Sequence, residues 1–341
     1  MLFENRPFRQ VHVLGRKEKW SLGWDAYFLI ETLKELNVDY SESRLAFQQI
    51  VYLQSKFAAP RSRYHRLGNK VLFDYFHGDP SFSPDLEPLL NQIIKKRAKF
   101  SCVRVSHSAM EEMLLNRGLE GKVFRIPLGV HLQWFSVQTA ESKSAVRQKL
   151  GIPQSAVVIG SFQKDGIGWG AGQDPKLIKG PDILLRTLSI LRETVPDLFV
   201  LLTGPARGFV KIGLEKLAIP YLHVSPQYPD IGKYYQALDV YLVTSREEGG
   251  PKAILESMAS GVPLVTTRVG QAIDLVEHQS NGWVAPIEDA EALAHWALSV
   301  IQNKSQISEN LVRARQTANS NSHDALAPVW GRFLANFLSP Q

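Results

Sequence analysis

The residue pattern that is richest in chemistry follows Glu248. Gly249, Gly250 and Pro251 come directly after it, between a predicted strand and a predicted helix with Pro251 in its first turn. Glycines let a ligand approach the backbone, and the free N–H groups of a first helical turn attract anions. We therefore predict that a diphosphate binds between Gly249 and Lys252.

A second glutamate, Glu256, follows Glu248 after seven intervening residues. On a helix this separation would span about 12 Å at about 1.5 Å per residue, which is comparable to the distance from a donor sugar to the ribose of a nucleotide-sugar. Carboxylates accept hydrogen bonds from paired hydroxyls, so one glutamate could hold each end. The alternative is a loop acid and an ordinary surface glutamate. The Gly-Gly-Pro between the two glutamates favours the binding site.

Short β-type segments alternate with helical segments along the whole chain, and this order predicts parallel sheets covered by helices. The series restarts after residues 126–130, so we expect two α/β halves. Ligands of such sheets bind beyond the carboxyl ends of the strands. The predicted strands are residues 10–14, 50–53, 71–75, 100–105 and 123–126 in the first half, and 156–160, 198–202, 222–224, 240–243 and 264–266 in the second.

Composition limits the class of protein. With 341 residues, 44% of them hydrophobic and 21% charged, the chain is expected to fold into two packed domains. The single cysteine, Cys102, excludes a disulfide framework and a cysteine zinc site, and it fits a reducing compartment. We find no signal-peptide core and no apolar run of spanning length, which predicts a cytoplasmic protein.

The net charge of +6 is modest. Basic clusters at residues 61–66 and 95–97 fit solvated helix faces or contact with anionic lipid. Nucleic acid is not expected as a partner, because no basic run is interleaved with aromatic residues. A peripheral position at the inner face of a membrane is the alternative to a freely cytoplasmic one.

The segment from Glu248 to Pro263 resembles the nucleotide-sugar signature of glycosyltransferase family 4, whose members are retaining enzymes of the GT-B fold. Further similar segments are residues 105–108, 124–130, 201–205, 234–240 and 281–284, with Leu128 where the family usually has Asn. The resemblance is good over about residues 100–300 and weak before them. It implies two Rossmann-like domains facing across a cleft: an acceptor-side domain at 1–128, a nucleotide-sugar-binding domain at 129–310, and a C-terminal helical segment at 311–341 that returns to the first.

The resemblance also implies roles for individual residues. Lys179, followed by a glycine, would place a cation on the donor diphosphate, and Lys164 stands near the position of the family's usual arginine. Glu248 would hold the donor sugar and Glu256 the ribose.

In the first half, His77 resembles the family's histidine that contacts the transferred sugar, although a lone histidine after a buried strand is more often structural. Gly23, just ahead of a predicted helix, resembles a glycine turn near the diphosphate, of which only one glycine remains. Residues 165–174 form a long glycine-rich segment that we interpret either as a mobile loop near the donor or as a plain surface insertion.

The sequence therefore predicts a metal-independent, retaining glycosyltransferase of the hexosyltransferase type, active in glycan biosynthesis. It would use a UDP- or GDP-linked sugar and no further cofactor, with a glycan, a lipid-linked molecule or a small molecule as acceptor. No Asp-x-Asp, His-Glu-x-x-His or cysteine pair predicts a metal site. The alternative is a nucleotide-sugar-binding protein of the same fold with weakened catalysis. A dinucleotide-dependent oxidoreductase is not favoured, because the first predicted strand lacks a glycine fingerprint.

Overall fold

Two units, each built on a six-stranded parallel sheet, make up the computed structural model, which describes residues 8–15, 21–55 and 59–339. Unit 1 contains Met1–Pro127 and His323–Gln341, and unit 2 contains Leu128–Ser322. Every paired strand runs parallel to its neighbours, and the strands are almost continuously hydrophobic, as is typical of sheets covered on both faces. The predicted pair of α/β halves is confirmed.

In unit 1 the strand order is β2-β1-β3-β4-β5-β6. The strands are β1 (Gln10–Leu14), β2 (Asp39–Ser41), β3 (Ile50–Leu53), β4 (Lys70–Asp74), β5 (Cys102–Val105) and β6 (Val123–Arg125). The helices are α1 (Ser21–Glu35), α2 (Ser62–Arg66), α3 (Glu87–Lys95) and α4 (Ser108–Leu115), with short 3-10 turns at Pro84–Leu86 and Arg97–Lys99.

In unit 2 the strand order is β12-β11-β10-β7-β8-β9. Its strands are β7 (Val157–Phe162), β8 (Leu198–Thr203), β9 (Tyr221–Val224), β10 (Val240–Val243), β11 (Leu264–Thr267) and β12 (Trp283–Ala285). Its helices are α5 (Ala140–Leu150), α6 (Pro181–Thr194), α7 (Gly208–Lys216), α8 (Gly232–Tyr235), α9 (Ala253–Ala259), α10 (Ala272–Leu275), α11 (Ala290–Gln302) and α12 (Ser308–Ser320), with 3-10 turns at Leu132–Trp134 and Leu177–Lys179. The chain reverses direction across the sheet between β7 and β10, and such a switch point opens a crevice at the carboxyl ends of the two strands.

The last helix, α13 (His323–Ala335), belongs to unit 1 and packs against α1. Trp330 and Phe333 are buried in one core with Leu29 and Leu33 of α1. The helical segment before it, α12, lies in unit 2, so the part of the C-terminal region that joins unit 1 starts at His323 rather than at residue 311.

Two helix starts differ from their predictions. Helix α9 begins at Ala253 rather than at Pro251, and the Pro251 carbonyl accepts a hydrogen bond from the Ile254 amide at 3.2 Å, so one open turn precedes the regular helix. Helix α1 begins at Ser21, so Gly23 lies inside the first turn rather than ahead of the helix. Among the described residues, no helix combines the length and the apolar character that crossing a membrane requires.

Candidate functional site

The carboxyl ends of β7 and β10 bring together two residues that lie far apart in the sequence, Lys179 and Glu248. The Lys179 ammonium donates a hydrogen bond to one oxygen of the Glu248 carboxylate, and the Ser245 hydroxyl donates to the other at 2.8 Å. The Glu248 side chain is only 9% exposed and that of Lys179 is 21% exposed. Both oxygens of the carboxylate are therefore engaged within unit 2, with a cation beside them.

Gly180 explains how Lys179 reaches this position. It has a φ of +62°, and a Cβ atom there would lie 1.8 Å from the Thr244 carbonyl oxygen, so only glycine fits without displacing the backbone. The Thr244 hydroxyl donates to the Gly180 carbonyl at 2.9 Å, and the Arg246 amide donates to the Ile178 carbonyl at 2.9 Å. The loop after β10 and the start of α6 are thus fixed to each other by their backbones.

Arg246 strengthens the same junction. Its guanidinium donates two hydrogen bonds to Asp182, at 2.8 and 2.7 Å, and one to Glu288 at 2.5 Å. The hydrogen bonds with Asp182 raise the pKa of Arg246, and those bonds in turn lower the pKa of Asp182. Paired N–H groups facing one carboxylate give directional bonds, so this arginine fixes the orientation of the first turn of α6. Sequence analysis did not identify it.

Two lysines, Lys176 and Lys179, interact with the charge of the Glu248 carboxylate, and a third, Lys164, lies near Lys176. Burial lowers the pKa of Lys176, as do the neighbouring charges of Lys179 and Lys164, whereas the charge of Glu248 raises it. Burial also lowers the pKa of Lys164, whose Nζ lies 3.8 Å from the ring centre of Trp169. Three ammonium groups and one carboxylate leave this cluster with an excess of positive charge, which favours an anionic ligand. Lys179 and Lys164 were predicted for this place; Lys176 was missed.

The glycine-rich segment at residues 165–174 is a hairpin held at both ends. Gly166 and Pro175 form an antiparallel bridge, and the Ile167 amide donates to the Asp174 carbonyl at 2.9 Å. A Cβ atom at Gly166 would lie 2.3 Å from the Ala206 carbonyl oxygen, which shows how closely the hairpin packs on the loop after β8.

The base of this hairpin contains a buried ion pair. Asp165 and Arg207 lie 3.0 Å apart and are almost fully buried. Burial raises the pKa of Asp165 and lowers that of Arg207, while the charge of each partner opposes the shift. Arg207 also donates to the carbonyls of Ser161, Gln163 and Thr203 at 2.7 to 2.9 Å. These bonds fix the hairpin that positions Lys164 and Lys176.

Glu256 is buried on α9, with an exposed fraction of 5%. The Tyr235 hydroxyl donates to its carboxylate at 3.0 Å, Tyr228 provides a second hydrogen bond, and the charge of Lys252 is nearby. Burial raises the pKa of Glu256, and the tyrosine contact opposes that rise. The alternative of an ordinary surface glutamate is therefore wrong. The two tyrosines were not identified from the sequence, because they precede Glu256 by 28 and 21 residues.

The Gly-Gly-Pro turn is packed against the loop after β11. Gly250 has a φ of +149°. A Cβ atom at Gly270 would lie 2.7 Å from Pro251 Cδ and 3.0 Å from Glu248 Cβ, and the Gln271 side chain donates to the Pro251 carbonyl at 3.2 Å. The loop after β11 thus supports the turn between the two glutamates.

Two candidate residues lie in unit 1. His77 follows β4, with its Nε2 3.3 Å from the Ser55 hydroxyl and its ring centre 5.4 Å from that of Tyr75. Gly23 is buried in the first turn of α1, so it does not form the predicted turn. Its placement supports a packing role.

Unit 1 also contains a buried polar group that sequence analysis missed. Asp74, at the end of β4, accepts a hydrogen bond from the Tyr52 hydroxyl at 2.5 Å and forms an ion pair with Arg104 at 3.3 Å. Burial raises the pKa of Asp74 to about 6, although Arg104 opposes the shift. Arg104 also donates to the carbonyls of Ile126 and Pro127, so it fixes the chain where unit 1 ends.

Comparison with known proteins finds a family profile that matches part of unit 2. The sequence profile described as Glycosyl transferases group 1 matches residues 170–303, which include the second half of the hairpin, Lys179 and both glutamates. This stretch, 134 of the 341 residues, is similar to the group 1 glycosyltransferases. The resemblance carried by the segment from Glu248 to Pro263 is confirmed.

Curated relatives carry related names. The D-inositol 3-phosphate glycosyltransferase of Corynebacterium urealyticum is 28% identical over 180 residues, which are 49% of this chain and 40% of that protein. The enzyme of the same name from Saccharomonospora viridis is 30% identical over 218 residues, which are 58% of this chain and 47% of that protein. The chain spans less than half the length of each of these relatives.

Solved structures show the fold. Anabaena Alr3699/HepE, crystallised with UDP and glucose, matches 94% of this chain and 84% of its own, with a TM-score of 0.68 and 18% identity. A glycosyltransferase from Rickettsia africae matches 92% of this chain and 88% of its own, with a TM-score of 0.66 and 20% identity. Together with the two parallel sheets, these matches identify the fold as GT-B, with two Rossmann-like domains.

Proposed function

We propose that this protein is a glycosyltransferase that moves a sugar from a nucleoside diphosphate to an acceptor hydroxyl. The observation that carries the proposal is the cluster at the switch point of unit 2, in which Lys176 and Lys179 lie beside Glu248 and Lys164 lies near Lys176. A diphosphate supplies the negative charge that this cluster lacks. The group 1 profile match, which spans Lys176, Lys179 and Glu248, supports this assignment.

The lysines would act on the leaving group. As the bond between the anomeric carbon and the diphosphate oxygen breaks, negative charge grows on that oxygen, and fixed cations beside it lower the barrier. Lys179 would move its hydrogen bond from Glu248 to the diphosphate when the donor binds. Glu248 would then accept hydrogen bonds from hydroxyls of the donor sugar. Because the lysines supply the positive charge, the proposed reaction needs no metal ion.

Glu256 would hold the ribose. Its carboxylate is already oriented by Tyr235, and a buried carboxylate with unfilled acceptor positions suits a pair of adjacent hydroxyls. The Gly-Gly-Pro turn between the two glutamates would lie along the diphosphate, where its backbone permits close approach.

Retention of configuration is part of the proposal. The acceptor hydroxyl would attack from the face that the diphosphate leaves, and the departing phosphate oxygen would take the hydroxyl proton. No enzyme nucleophile is needed on this route. Closure of the site against water would limit hydrolysis of the donor.

The donor is proposed to be a UDP- or GDP-sugar. A structural neighbour was crystallised with UDP-glucose, which makes that compound the first to test. The names of the curated relatives put inositol phosphate first among small acceptors. Glycans and lipid-linked molecules are the other proposed acceptors. With a lipid-linked acceptor the protein would act at a membrane surface.

The test is release of free UDP or GDP from nucleotide-sugars, with and without acceptor. Glu248→Gln and Lys179→Ala should abolish most of the release, whereas Lys216→Ala, a change at an exposed lysine at the end of α7, should not. Tight donor binding without release on any acceptor would instead support the alternative, a nucleotide-sugar-binding protein of this fold.

A further inference from the structure

One region of unit 1 has an unusual charge. Residues 43–73 contain six lysines and arginines and no aspartate or glutamate, which equals the net charge of the whole chain, +6. Arg44, Arg61 and Arg66 of this region are exposed. Among the described residues, none of these three arginines takes part in a salt bridge. Their charge is therefore available to an external partner.

Large apolar side chains are exposed in the same region. Leu45 is 85% exposed, Phe47 is 59% exposed and Leu67 is 41% exposed. Single exposed apolar residues are common on protein surfaces. Three of them beside arginines without salt bridges form a surface that is both apolar and basic, and such groups of apolar side chains mark interaction sites.

Hydrogen bonds hold the segment before β3 beside the segment before β4. The buried Asn69 side chain donates to the Ala46 carbonyl at 2.9 Å and to the Tyr64 carbonyl at 3.0 Å. The Gln48 amide donates to the Leu67 carbonyl at 3.1 Å. The segment before β3 and the segment before β4 therefore form one surface. We call it the basic–apolar surface and define it by Arg44, Leu45, Phe47, Arg61, Arg66 and Leu67.

The basic–apolar surface lies at the amino ends of β3 and β4. Ser55 and His77 follow the carboxyl ends of the same strands, at the opposite edge of the sheet. The surface is thus separate from the candidate site residues of this unit, and its occupant can be tested without turnover.

We infer that the basic–apolar surface docks on a membrane that contains anionic lipids. Arginines would bind the lipid phosphates, while Leu45, Phe47 and Leu67 would enter the boundary between headgroups and acyl chains. The combination decides between partners, because a soluble polyanion would use the arginines but gain nothing from the apolar side chains.

The test uses the full chain and lipid vesicles in a sedimentation assay at physiological ionic strength, without nucleotide-sugar. Vesicles of phosphatidylcholine mixed with phosphatidylglycerol should bind the protein, and vesicles of phosphatidylcholine alone should bind it far more weakly. Each arginine beside an anionic surface contributes about fivefold to binding, so the triple variant R44Q/R61Q/R66Q should lose roughly a hundredfold.

The apolar contribution is tested at constant charge. The variant L45S/F47S should lose about tenfold or more in vesicle binding, because it removes apolar surface and no charge. The matched control is V312S/R313Q on α12, where Val312 is 56% exposed and Arg313 is exposed as well. It should bind vesicles as the unchanged protein does. Because these residues are exposed, thermal unfolding should confirm that all three variants fold.

Three results would overturn the inference. If both surface variants bind anionic vesicles like the control, lipid does not occupy this surface. If L45S/F47S binds normally while soluble polyphosphate competes with vesicles, the partner is a polyanion. If the protein self-associates without vesicles and L45S/F47S does not, the surface is an interface between two copies. Release of UDP on a soluble acceptor should be unchanged in the surface variants, so failure here leaves the proposed reaction untouched.

Discussion

The Lys179 ammonium donates a hydrogen bond to Glu248, so the two principal candidate residues of unit 2 partly neutralise each other. A ligand that binds between them must separate this pair. A diphosphate compensates for the lost hydrogen bond by binding Lys179, and sugar hydroxyls compensate for it by donating hydrogen bonds to Glu248. The pair therefore favours a ligand that carries both groups over one that carries only one of them.

Lys179→Ala should lower the turnover number for transfer by about a hundredfold to a thousandfold, the usual effect of removing one group that stabilises developing negative charge. Affinity for UDP should also fall. Detection of the UDP released during transfer measures the turnover number, and calorimetry measures the affinity for UDP. Loss of affinity with unchanged turnover would show that Lys179 binds the donor without acting on the leaving group.

Glu248→Gln should separate binding from turnover. Removing the carboxylate charge makes the cluster of Lys164, Lys176 and Lys179 more positive, so affinity for UDP alone should rise or stay the same. Transfer should fall, because the amide cannot accept hydrogen bonds from sugar hydroxyls as strongly. Equal losses in UDP affinity and transfer would contradict this assignment. Glu193→Gln, at an exposed position on α6, serves as the control.

Lys176→Ala should weaken UDP binding about fivefold to tenfold at low ionic strength and less at high ionic strength, because it removes a charge from the cluster. Lys176→Arg should retain most of the affinity. Calorimetric titrations with UDP at two salt concentrations give both numbers. If the alanine variant binds UDP normally at low salt, Lys176 does not face the diphosphate.

Gly180→Ala should destabilise unit 2 by about 3 kcal/mol or more, because the added Cβ meets the Thr244 carbonyl and the residue keeps a positive φ. Gly151→Ala is the matched control. Gly151 has a φ of +68° but nothing within 4 Å of an added Cβ, so it should cost only about 1–2 kcal/mol. Urea unfolding measures both variants, and equal losses would show that the Thr244 contact relaxes freely.

The buried carboxyl of Asp74 should make stability depend on pH. Its pKa rises from 3.8 to about 6 on folding, so the folded protein holds a proton that the unfolded chain has lost between these values. Stability should therefore fall as pH rises from about 4 to about 6, by at most about 3 kcal/mol. Asp74→Asn should remove this dependence, whereas Asp85→Asn, at an exposed position, should leave it unchanged. Chemical unfolding across this pH range measures it.

Sequence patterns predicted the central strands because those strands are buried on both faces and read as apolar runs. Strand β2 was missed because Asp39, Tyr40 and Ser41 form a short, partly exposed edge. Strand β12 was missed because it has only three residues, at one edge of the sheet of unit 2. Length and apolar content thus decided which strands could be found.

Sequence analysis found some of the candidate site residues and missed others. Glu248, Lys179 and Glu256 were found because local motifs mark them. Lys176 and Tyr235 were not, because their relation to the site depends on folding across many residues. Gly23 shows the opposite error: a short motif suggested a turn, but the helical pattern of the following residues extends back to Ser21.

The position of α13 has a consequence for how the chain is made. Val130 and Ser322 pair as neighbours, so unit 2 leaves unit 1 and comes back at nearly the same point. The ribosome therefore completes unit 2 before it synthesises Trp330 and Phe333, which fill the core beside α1. During that interval the sheet of unit 1 lacks one of the two helices that pack in this core, so part of its apolar surface is exposed.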